Sequence, residues 1–404
     1  IYINIILHEG DQYHIKNYSV NGSKVLSQIE LKKLLTFKLG DIAARNKIIA
    51  YKQKIEQTLG DKGYAHANVV IKILNIDNKN KTIELKFIIT DGVKIYVRNI
   101  AFKDNYKTND KVLRRKLIQH ESSLYSASAI QHSKQQLLNL PYIVDVKTQH
   151  SPVTNTKNQE DIIYNIKEYP ATNLTAGIGY GDVDGMILSG SINQKNFLGT
   201  GNKASINIKR SNNLTQYSLD YYNPYYTQSG IGREISLTYS HYNTDKLDVS
   251  NYATNSIGFN INYNIPISRT LSWRAGYGYQ NILLTIGSEP SSITRNFVNQ
   301  YGTHFYQFLT NISLAYDNID RIILPTKGFI SSAGVSVTVP ISNDNSLKYY
   351  KFNYNGNYYL PIYKKTWIFN TKYHLAYGNG YNNFNDNYTF FENYYSGGIG
   401  TVRG

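Results

Sequence analysis

Strict alternation of side-chain character between residues 257 and 265 limits what the second half of this chain can fold into. Odd positions carry isoleucine, phenylalanine or tyrosine, whereas even positions carry only glycine or asparagine. Successive side chains of a β-strand point to opposite faces of its sheet, so the pattern predicts a strand with one apolar face and one small polar face. Helical spacing disappears after Pro170. We predict eleven strands, with approximate spans 173–180, 186–196, 203–211, 215–223, 233–243, 254–265, 270–286, 304–317, 328–340, 347–360 and 366–378.

The aromatic content of residues 171–404 distinguishes a membrane barrel from a soluble sandwich. This part holds 27 of the 38 tyrosines and 11 of the 14 phenylalanines. A sandwich also alternates, but its inner face would be aliphatic, whereas tyrosine near strand ends suits the membrane interface. The sequence therefore predicts an antiparallel transmembrane β-barrel. Bacterial barrels have an even number of strands, and an open edge in lipid leaves backbone groups unpaired, so we expect further strands after residue 404.

The first 170 residues mix helical and strand periods in an order that occurs twice. A helix from about Arg45 to Lys62 follows a shorter helix near residue 33, and strand-like runs cover residues 13–22, 67–77 and 82–92. The resulting β-α-α-β-β order repeats with an offset of 82 residues, from Val20 to Phe102. Tandem copies of a small α+β unit are typical of a modular arm, and their exposed sheet edges accept extended partners.

Composition and motifs exclude several classes of function. The formal net charge is +15, but no block of five like charges and no basic helical stripe accompanies it, so we expect no nucleic-acid binding. The absence of cysteine suits an oxidising compartment. The nine histidines form no HExxH motif, and no GxSxG or P-loop is present. We therefore expect no enzyme activity, no cofactor and no metal.

Three short stretches are candidates for function. Glycines in the first predicted barrel strand weaken it and leave a seam that can open. Glu121 lies between the two helices of the second repeat, where a carboxylate either caps and is solvated or docks a partner through a charge-assisted contact. Arg403, between Val402 and Gly404, would enter a barrel lumen, where a guanidinium needs carboxylate or carbonyl partners that pin its loop.

Taken together, these features resemble the BamA family, the central subunits of the outer-membrane β-barrel assembly machinery. The resemblance covers essentially the whole chain and is carried by HEGDQYHI, LGDKGYAHANV, IYVRNIAF, VLRRKL, GIGYG, NFLGTG, NPYYT, LPTKGF and FENYYSGG followed by TVRG. It implies α+β POTRA modules followed by a sixteen-stranded antiparallel barrel. Residues 1–12 would end a third POTRA, 13–92 would be the fourth, and 93–170 the fifth. Residues 171–404 would be the N-terminal part of the barrel, with residue 404 inside extracellular loop 6.

The resemblance also implies roles for the three candidate stretches. Val402, Arg403 and Gly404 would form the lock motif of loop 6, with Arg403 bonded to acidic residues on later strands. Glu121 would dock an accessory lipoprotein. The first strand would be one side of a lateral gate where client strands pair, and it comprises Asn173, Leu174, Thr175, Ala176, Gly177, Ile178, Gly179, Tyr180 and Gly181.

The implied function is assembly and insertion of β-barrel proteins into the bacterial outer membrane, with the POTRA modules in the periplasm. The implied partners are unfolded outer-membrane protein clients, accessory outer-membrane lipoproteins, the lipid bilayer and lipopolysaccharide. A two-partner secretion transporter, which exports a passenger protein through its pore, is the alternative, and a plug helix would precede its POTRA modules. A plain porin would lack the modules altogether.

Overall fold

A computed structural model describes residues 11–181, 184–244, 251–321, 324–340, 346–363, 366–381 and 389–394. The chain divides into two compact units, Ile1–Pro170 and Ala171–Gly404. None of the helices in the described ranges is long and apolar enough to cross a membrane.

The first module of unit 1 packs two helices on a three-stranded sheet. Its elements are β1 (His14–Asn21), α1 (Gln28–Lys33), α2 (Arg45–Asp61), β2 (Asn68–Asp77) and β3 (Thr82–Thr90). The strand order is β1-β3-β2, with β1 parallel and β2 antiparallel to β3. Ser27 and Glu30 form a capping box that starts α1, and α2 buries Tyr51, Ile55 and Leu59 against the sheet.

The second module of unit 1 repeats this order with one short extra strand. Its elements are β4 (Tyr96–Lys103), α3 (Asp110–Arg114), β5 (Ser123–Leu124), α4 (Ala127–Leu138), β6 (Ile143–Pro152) and β7 (Gln159–Glu168). The strand order is β5-β4-β7-β6. The predicted β-α-α-β-β order is confirmed in both modules. The short strand β5, which pairs with β4 through Ser123 and Leu124, was not predicted because two residues are too few for a periodic signal.

The two modules of unit 1 are joined by polar contacts that cross from one to the other. Asp61, the last residue of α2, accepts hydrogen bonds from Ser126 Oγ (2.9 Å), Ser128 N (2.7 Å) and Ser128 Oγ (2.6 Å) at the start of α4. The Ile95 backbone N–H donates to the Gly63 carbonyl oxygen at 2.8 Å. A carboxylate at the N-terminus of a helix satisfies free N–H groups and complements the helix dipole, so α2 caps the helix of its neighbour.

A buried carboxylate lies at the same joint. Glu160 on β7 is 1 % exposed, and its two oxygens meet one histidine from each module. His66 Nε2 of the first module contacts Oε1, and His150 Nδ1 of the second lies 3.4 Å from Oε2. Because a buried carboxylate requires compensating partners, these contacts tie the position of one module to that of the other.

Unit 2 contains the predicted eleven strands in one antiparallel sheet. They are β8 (Thr172–Gly181), β9 (Gly185–Phe197), β10 (Asn202–Arg210), β11 (Leu214–Asn223), β12 (Gly232–Asn243), β13 (Tyr252–Pro266), β14 (Leu271–Ile286), β15 (His304–Asp317), β16 (Gly328–Val339), β17 (Tyr349–Tyr363) and β18 (Trp367–Gly380). Each strand pairs with its neighbours in sequence, from β8 to β18. The prediction of eleven strands is therefore confirmed.

Two short helical segments accompany this sheet in the described part of unit 2. Helix α5 (Ser292–Tyr301) lies between β14 and β15, and a 3-10 helix covers Phe390–Glu392. The prediction that helical spacing disappears after Pro170 is wrong at α5. Its apolar face consists of Phe297, Val298 and Tyr301 and covers little more than one turn, which is too short for a clear periodic signal. The helix starts because Ser291 Oγ accepts a hydrogen bond from Thr294 N.

The two faces of the sheet differ in chemistry along whole rows of paired residues. One row crosses β8 to β16 and consists only of exposed apolar or aromatic side chains: Leu174, Ile192, Ile206, Leu219, Leu237, Phe259, Tyr279, Phe308 and Val339. The row beside it, on the opposite face, is polar or glycine: Thr175, Ser191, Asn207, Ser218, Thr238, Gly258, Gln280 and Gln307. A continuous exposed apolar belt opposite a hydrated face is the arrangement of a membrane barrel.

Candidate functional site

The nine residues predicted to form the lateral gate, Asn173 to Gly181, all lie in β8. Within the described part of the chain, β8 pairs on one side only, with β9, in a register that runs from Thr172 opposite Gln194 to Gly181 opposite Gly185. No second strand among the described residues pairs with its other side. Such an edge accepts another strand, particularly in lipid, where an unpaired backbone group costs several kcal/mol.

Few side-chain contacts hold β8 to its neighbour. Leu174, Ile178 and Tyr180 are 77–78 % exposed on the apolar face. At the start of the strand, Thr172 Oγ1 donates to Gln194 Oε1 at 2.6 Å, and on the polar face Ser189 Oγ donates to the Gly177 carbonyl oxygen at 3.4 Å. Ala176 lies opposite Gly190, so that pair lacks a side-chain contact of any size.

The polar face beside the start of β8 is lined by side chains that satisfy one another. Asp220 Oδ2 accepts from Ser205 Oγ (3.3 Å), Asn207 Nδ2 (3.1 Å) and Ser218 Oγ (3.1 Å). Glu234 on β12 pairs with Arg274 on β14. One cavity is lined by Asn173, Lys195, Lys203, Ser205, Asp220, Glu234 and Arg274. A wet, charged wall next to a loosely held edge strand suits hydrated polypeptide better than an apolar ligand.

Glu121 is held inside the second module rather than standing free. Its Oε1 accepts the backbone N–H of Ile100 at 2.8 Å and Arg114 Nη1 at 3.0 Å, while Arg114 Nη2 donates to the Ile100 carbonyl at 2.7 Å. The Ile100 N–H, followed by Arg114, holds the pKa of the Glu121 carboxyl below its usual range. The side chain remains 40 % exposed, so the geometry combines an internal clamp with an accessible carboxylate.

The lock motif of Val402, Arg403 and Gly404 lies outside the described residues. The segment before it is described from Thr389 to Tyr394, and it packs on the polar face of the sheet. Phe390 and Phe391 enter a buried aromatic cluster with Phe297 of α5, and Glu392 pairs with Lys351 of β17. Sequence reasoning missed this contact, because FENYY carries no periodicity. The only available signal was the pair of adjacent phenylalanines before an acid.

The geometry defines a transmembrane β-barrel protein that carries tandem α+β modules before its barrel. Comparisons with known families agree. A model described as the Omp85 superfamily domain matches residues 196–404, and the POTRA model, described as a surface antigen variable number repeat, matches residues 13–92 and 95–169. The chain belongs to the Omp85 superfamily.

Named relatives narrow the resemblance to one group within that superfamily. Outer membrane protein assembly factor BamA of Neisseria meningitidis serogroup B is 27 % identical over 413 residues, covering all of this chain and 51 % of the relative. BamA of Buchnera aphidicola is 27 % identical over 345 residues, covering 85 % of this chain and 54 % of the relative. The chain spans about half the length of these curated relatives.

A solved structure matches residues of both units. The crystal structure of BamA from Haemophilus ducreyi lacking POTRA domains 1–3 has a TM-score of 0.84 and 29 % identity, covering 97 % of this chain and 75 % of that one. The resemblance to the BamA family is therefore confirmed, as is the fold of POTRA repeats followed by a barrel sheet. The chain is an outer-membrane protein.

Proposed function

We propose that this chain assembles client β-barrel proteins and inserts them into the outer membrane by pairing their strands at β8. The observation that carries the proposal is the weak attachment of β8, a glycine-rich strand that is held to β9 mainly by backbone bonds. The names of the relatives, outer membrane protein assembly factors, support the same function.

Client capture would begin at the periplasmic modules. Strand β2 is an edge of its sheet, and it exposes four large apolar side chains: Val70, Ile73, Leu74 and Ile76. An unfolded outer-membrane protein is rich in alternating strands, and such a segment can add to this edge through backbone hydrogen bonds while its side chains cover the apolar ones.

Insertion would follow by strand addition at β8. A client strand satisfies its backbone groups by pairing with β8, and each further strand then pairs with the one before it. Because unpaired backbone groups are strongly unfavourable in lipid, this pairing supplies the driving free energy without a nucleotide, a cofactor or a catalytic residue. The partners in this scheme are unfolded clients and the bilayer with its lipopolysaccharide, and nucleic acid has no part in it.

An accessory lipoprotein would dock at Glu121. The Arg114 clamp fixes the direction of the carboxylate, while its 40 % exposure leaves room for a cationic or N–H donor from a partner. In this arrangement Glu121 would serve both its own module and the complex.

Site-specific photo-crosslinking in the full-length protein tests the function. A photoreactive side chain at Ile178, on β8, should trap an arrested client, whereas one at Ile257, an isoleucine that is also exposed on the apolar face but lies on β13, should not. Both positions face lipid, so the comparison isolates the edge. Client adducts of equal yield at the two positions would contradict insertion at β8. A passenger trapped instead from the polar wall, for example at Asn207, would favour the secretion transporter.

A further inference from the structure

The polar face of the sheet becomes apolar at one end of its central strands. Tyr252 of β13, Ile282 and Leu284 of β14, Phe305 of β15 and Tyr349 of β17 are each at most 2 % exposed. Their register places them on the face of Gln280 and Gln307, opposite the apolar belt. Apolar side chains on a hydrated face must be covered, so something packs on this end of the sheet.

Part of the cover is the segment Thr389–Tyr394 of this chain. The Phe390 ring meets Tyr252 at 5.0 Å and Phe297 of α5 at 5.4 Å, both edge-on. The Phe391 ring lies 5.6 Å from Phe305 and 6.0 Å from Phe297. Edge-to-face aromatic pairs at these separations are favourable beyond their buried area, so two adjacent rings fix this segment on the sheet.

An ion pair continues the same contact onto β17. The Glu392 carboxylate pairs with Lys351, and the two side chains are only 20 % and 18 % exposed. Lys351 Nζ also lies 5.4 Å from the ring centres of Tyr349 and Tyr394. Charged groups of this burial are well compensated here by one another and by the aromatic faces, which gives the contact a defined geometry.

Three consecutive residues therefore reach three different strands. Phe390 contacts β13, Phe391 contacts β15 and Glu392 contacts β17. Strands β13 and β17 are four strand spacings of about 4.8 Å apart along the sheet, so the side chains of this short segment meet strands that are not neighbours of one another. A connection that merely passed from one strand to the next would contact its neighbours only.

We propose that Phe390, Phe391 and Glu392 are positioning residues that anchor the loop to the inner face of the sheet independently of Arg403. They fix the point from which the chain continues to Arg403 and, at the same time, brace β13, β15 and β17 against one another. The consequence for client assembly rests on the proposed function, whereas the anchor itself does not.

Spin-label mobility in the full-length protein, reconstituted in lipid, tests the anchor without any client. The label is placed at Thr401→Cys, since this chain contains no other cysteine and the remaining segments can be made cysteine-free. Glu392→Gln and Lys351→Met should each raise the released population about tenfold, because each removes a charge-assisted contact. The double variant should show the same released population as either single variant, because all three lack the same Glu392–Lys351 ion pair. Lys372→Met, an exposed lysine on the polar face of β18, is the matched control and should leave the spectrum unchanged.

The outcomes separate the anchor from the alternatives. Unchanged label mobility in both Glu392→Gln and Lys351→Met would overturn the proposal, and so would an effect of Glu392→Gln that disappears in an Arg403→Ala background. Glu392→Gln is nearly isosteric, and heat-modifiable gel migration checks that the barrel has folded. If client crosslinks at Ile178 are absent in the protein that carries neither Glu392→Gln nor Lys351→Met, only the proposed function is refuted. The anchor is tested separately, because the spin label reports on the loop when no client is present.

Discussion

Replacing Asp61 with alanine should uncouple the two POTRA modules. The Asp61 carboxylate belongs to the first module, but its three hydrogen-bond donors, Ser126 Oγ, Ser128 N and Ser128 Oγ, all belong to the second. Asp61→Ala removes all three bonds while the local N-cap of α4, Ser126 Oγ to Ala129 N, stays in place. The substitution therefore acts on the joint and leaves each hydrophobic core intact.

The expected size follows from the contacts at Asp61. Removing a side chain that caps a helix typically costs about 0.5–2 kcal/mol, and hydrogen bonds to a charged group contribute more than neutral ones. Water competes for this carboxylate at the surface, so we expect a loss of about 1–2 kcal/mol of coupling. That is roughly a five- to thirtyfold change in the equilibrium between joined and separated modules.

Asp77→Ala is a matched control for the joint. Asp77 also accepts three hydrogen bonds, from Lys79 N (3.0 Å), Asn80 N (3.0 Å) and Asn80 Nδ2 (2.7 Å), but all lie in the turn between β2 and β3. The same chemical change is thus made once across the joint and once within a module. Only Asp61→Ala should weaken the coupling between the two modules.

Calorimetry on residues 1–170 distinguishes the two outcomes. The unsubstituted unit should unfold with equal calorimetric and van't Hoff enthalpies, as one cooperative block. Asp61→Ala should broaden or split the transition, whereas Asp77→Ala should lower its midpoint and keep it single. A single, unbroadened transition in Asp61→Ala, merely shifted as in Asp77→Ala, would refute the idea that this carboxylate couples the modules.

Three further predictions concern single residues. Burial raises the pKa of Tyr51 from 10.0 to about 12. The stabilisation that this neutral hydroxyl gives the folded state is therefore complete below pH 10 and is lost as pH rises towards 12. Tyr51→Phe should flatten that alkaline loss in urea unfolding and remove the bond to the Leu31 carbonyl, worth about 1 kcal/mol. The pKa of Glu121 is lowered, so its carboxylate stabilises the folded state fully above the usual carboxyl pKa, and this stabilisation is lost as pH falls through the lowered pKa. Glu121→Gln should therefore reduce the loss of stability in acid. Gly190→Ala, where nothing lies within 4 Å of the added methyl, should stabilise β9 by about 0.5–1 kcal/mol and slow client assembly in a reconstituted assay.

The sequence predicted the barrel strands well because one face of a membrane barrel contacts lipid and the other contacts water. This difference imposes a two-residue alternation of apolar and polar side chains. Residues 257–265 lie in β13, where Ile257 and Phe259 are exposed on the belt, as the alternation required. The periodic helix α2 was predicted for the same kind of reason, since one face is buried in a core. Contacts that depend on a distant partner left no such trace. Glu160 sits on a regular strand, and nothing in its neighbourhood indicates that His66, 94 residues away, approaches its carboxylate.

The features of the candidate site also divide into those that could be predicted from the sequence and those that required the tertiary structure. The glycines of β8 suggested a weak strand because their effect is local, and the structure places them at a sheet edge. The internal clamp on Glu121 needed the fold, since Ile100 lies 21 residues before it. The anchor at Glu392 also depended on tertiary structure, because Lys351 on β17 is 41 residues away.

The sheet is thus held unequally from one end to the other, and hydrogen exchange should reveal it. Strand β8 has few side-chain contacts with β9, whereas β13, β15 and β17 are braced by Phe390, Phe391 and Glu392. Local opening follows low contact density, so amides of β8 and β9 should exchange fastest and those of β14, flanked by braced strands, slowest. A strand that must release and receive partners needs neighbours that keep their register while it moves. Exchange in β8 as slow as in β14, in the full-length protein in lipid, would show that the edge is closed by contacts strong enough to exclude strand addition there.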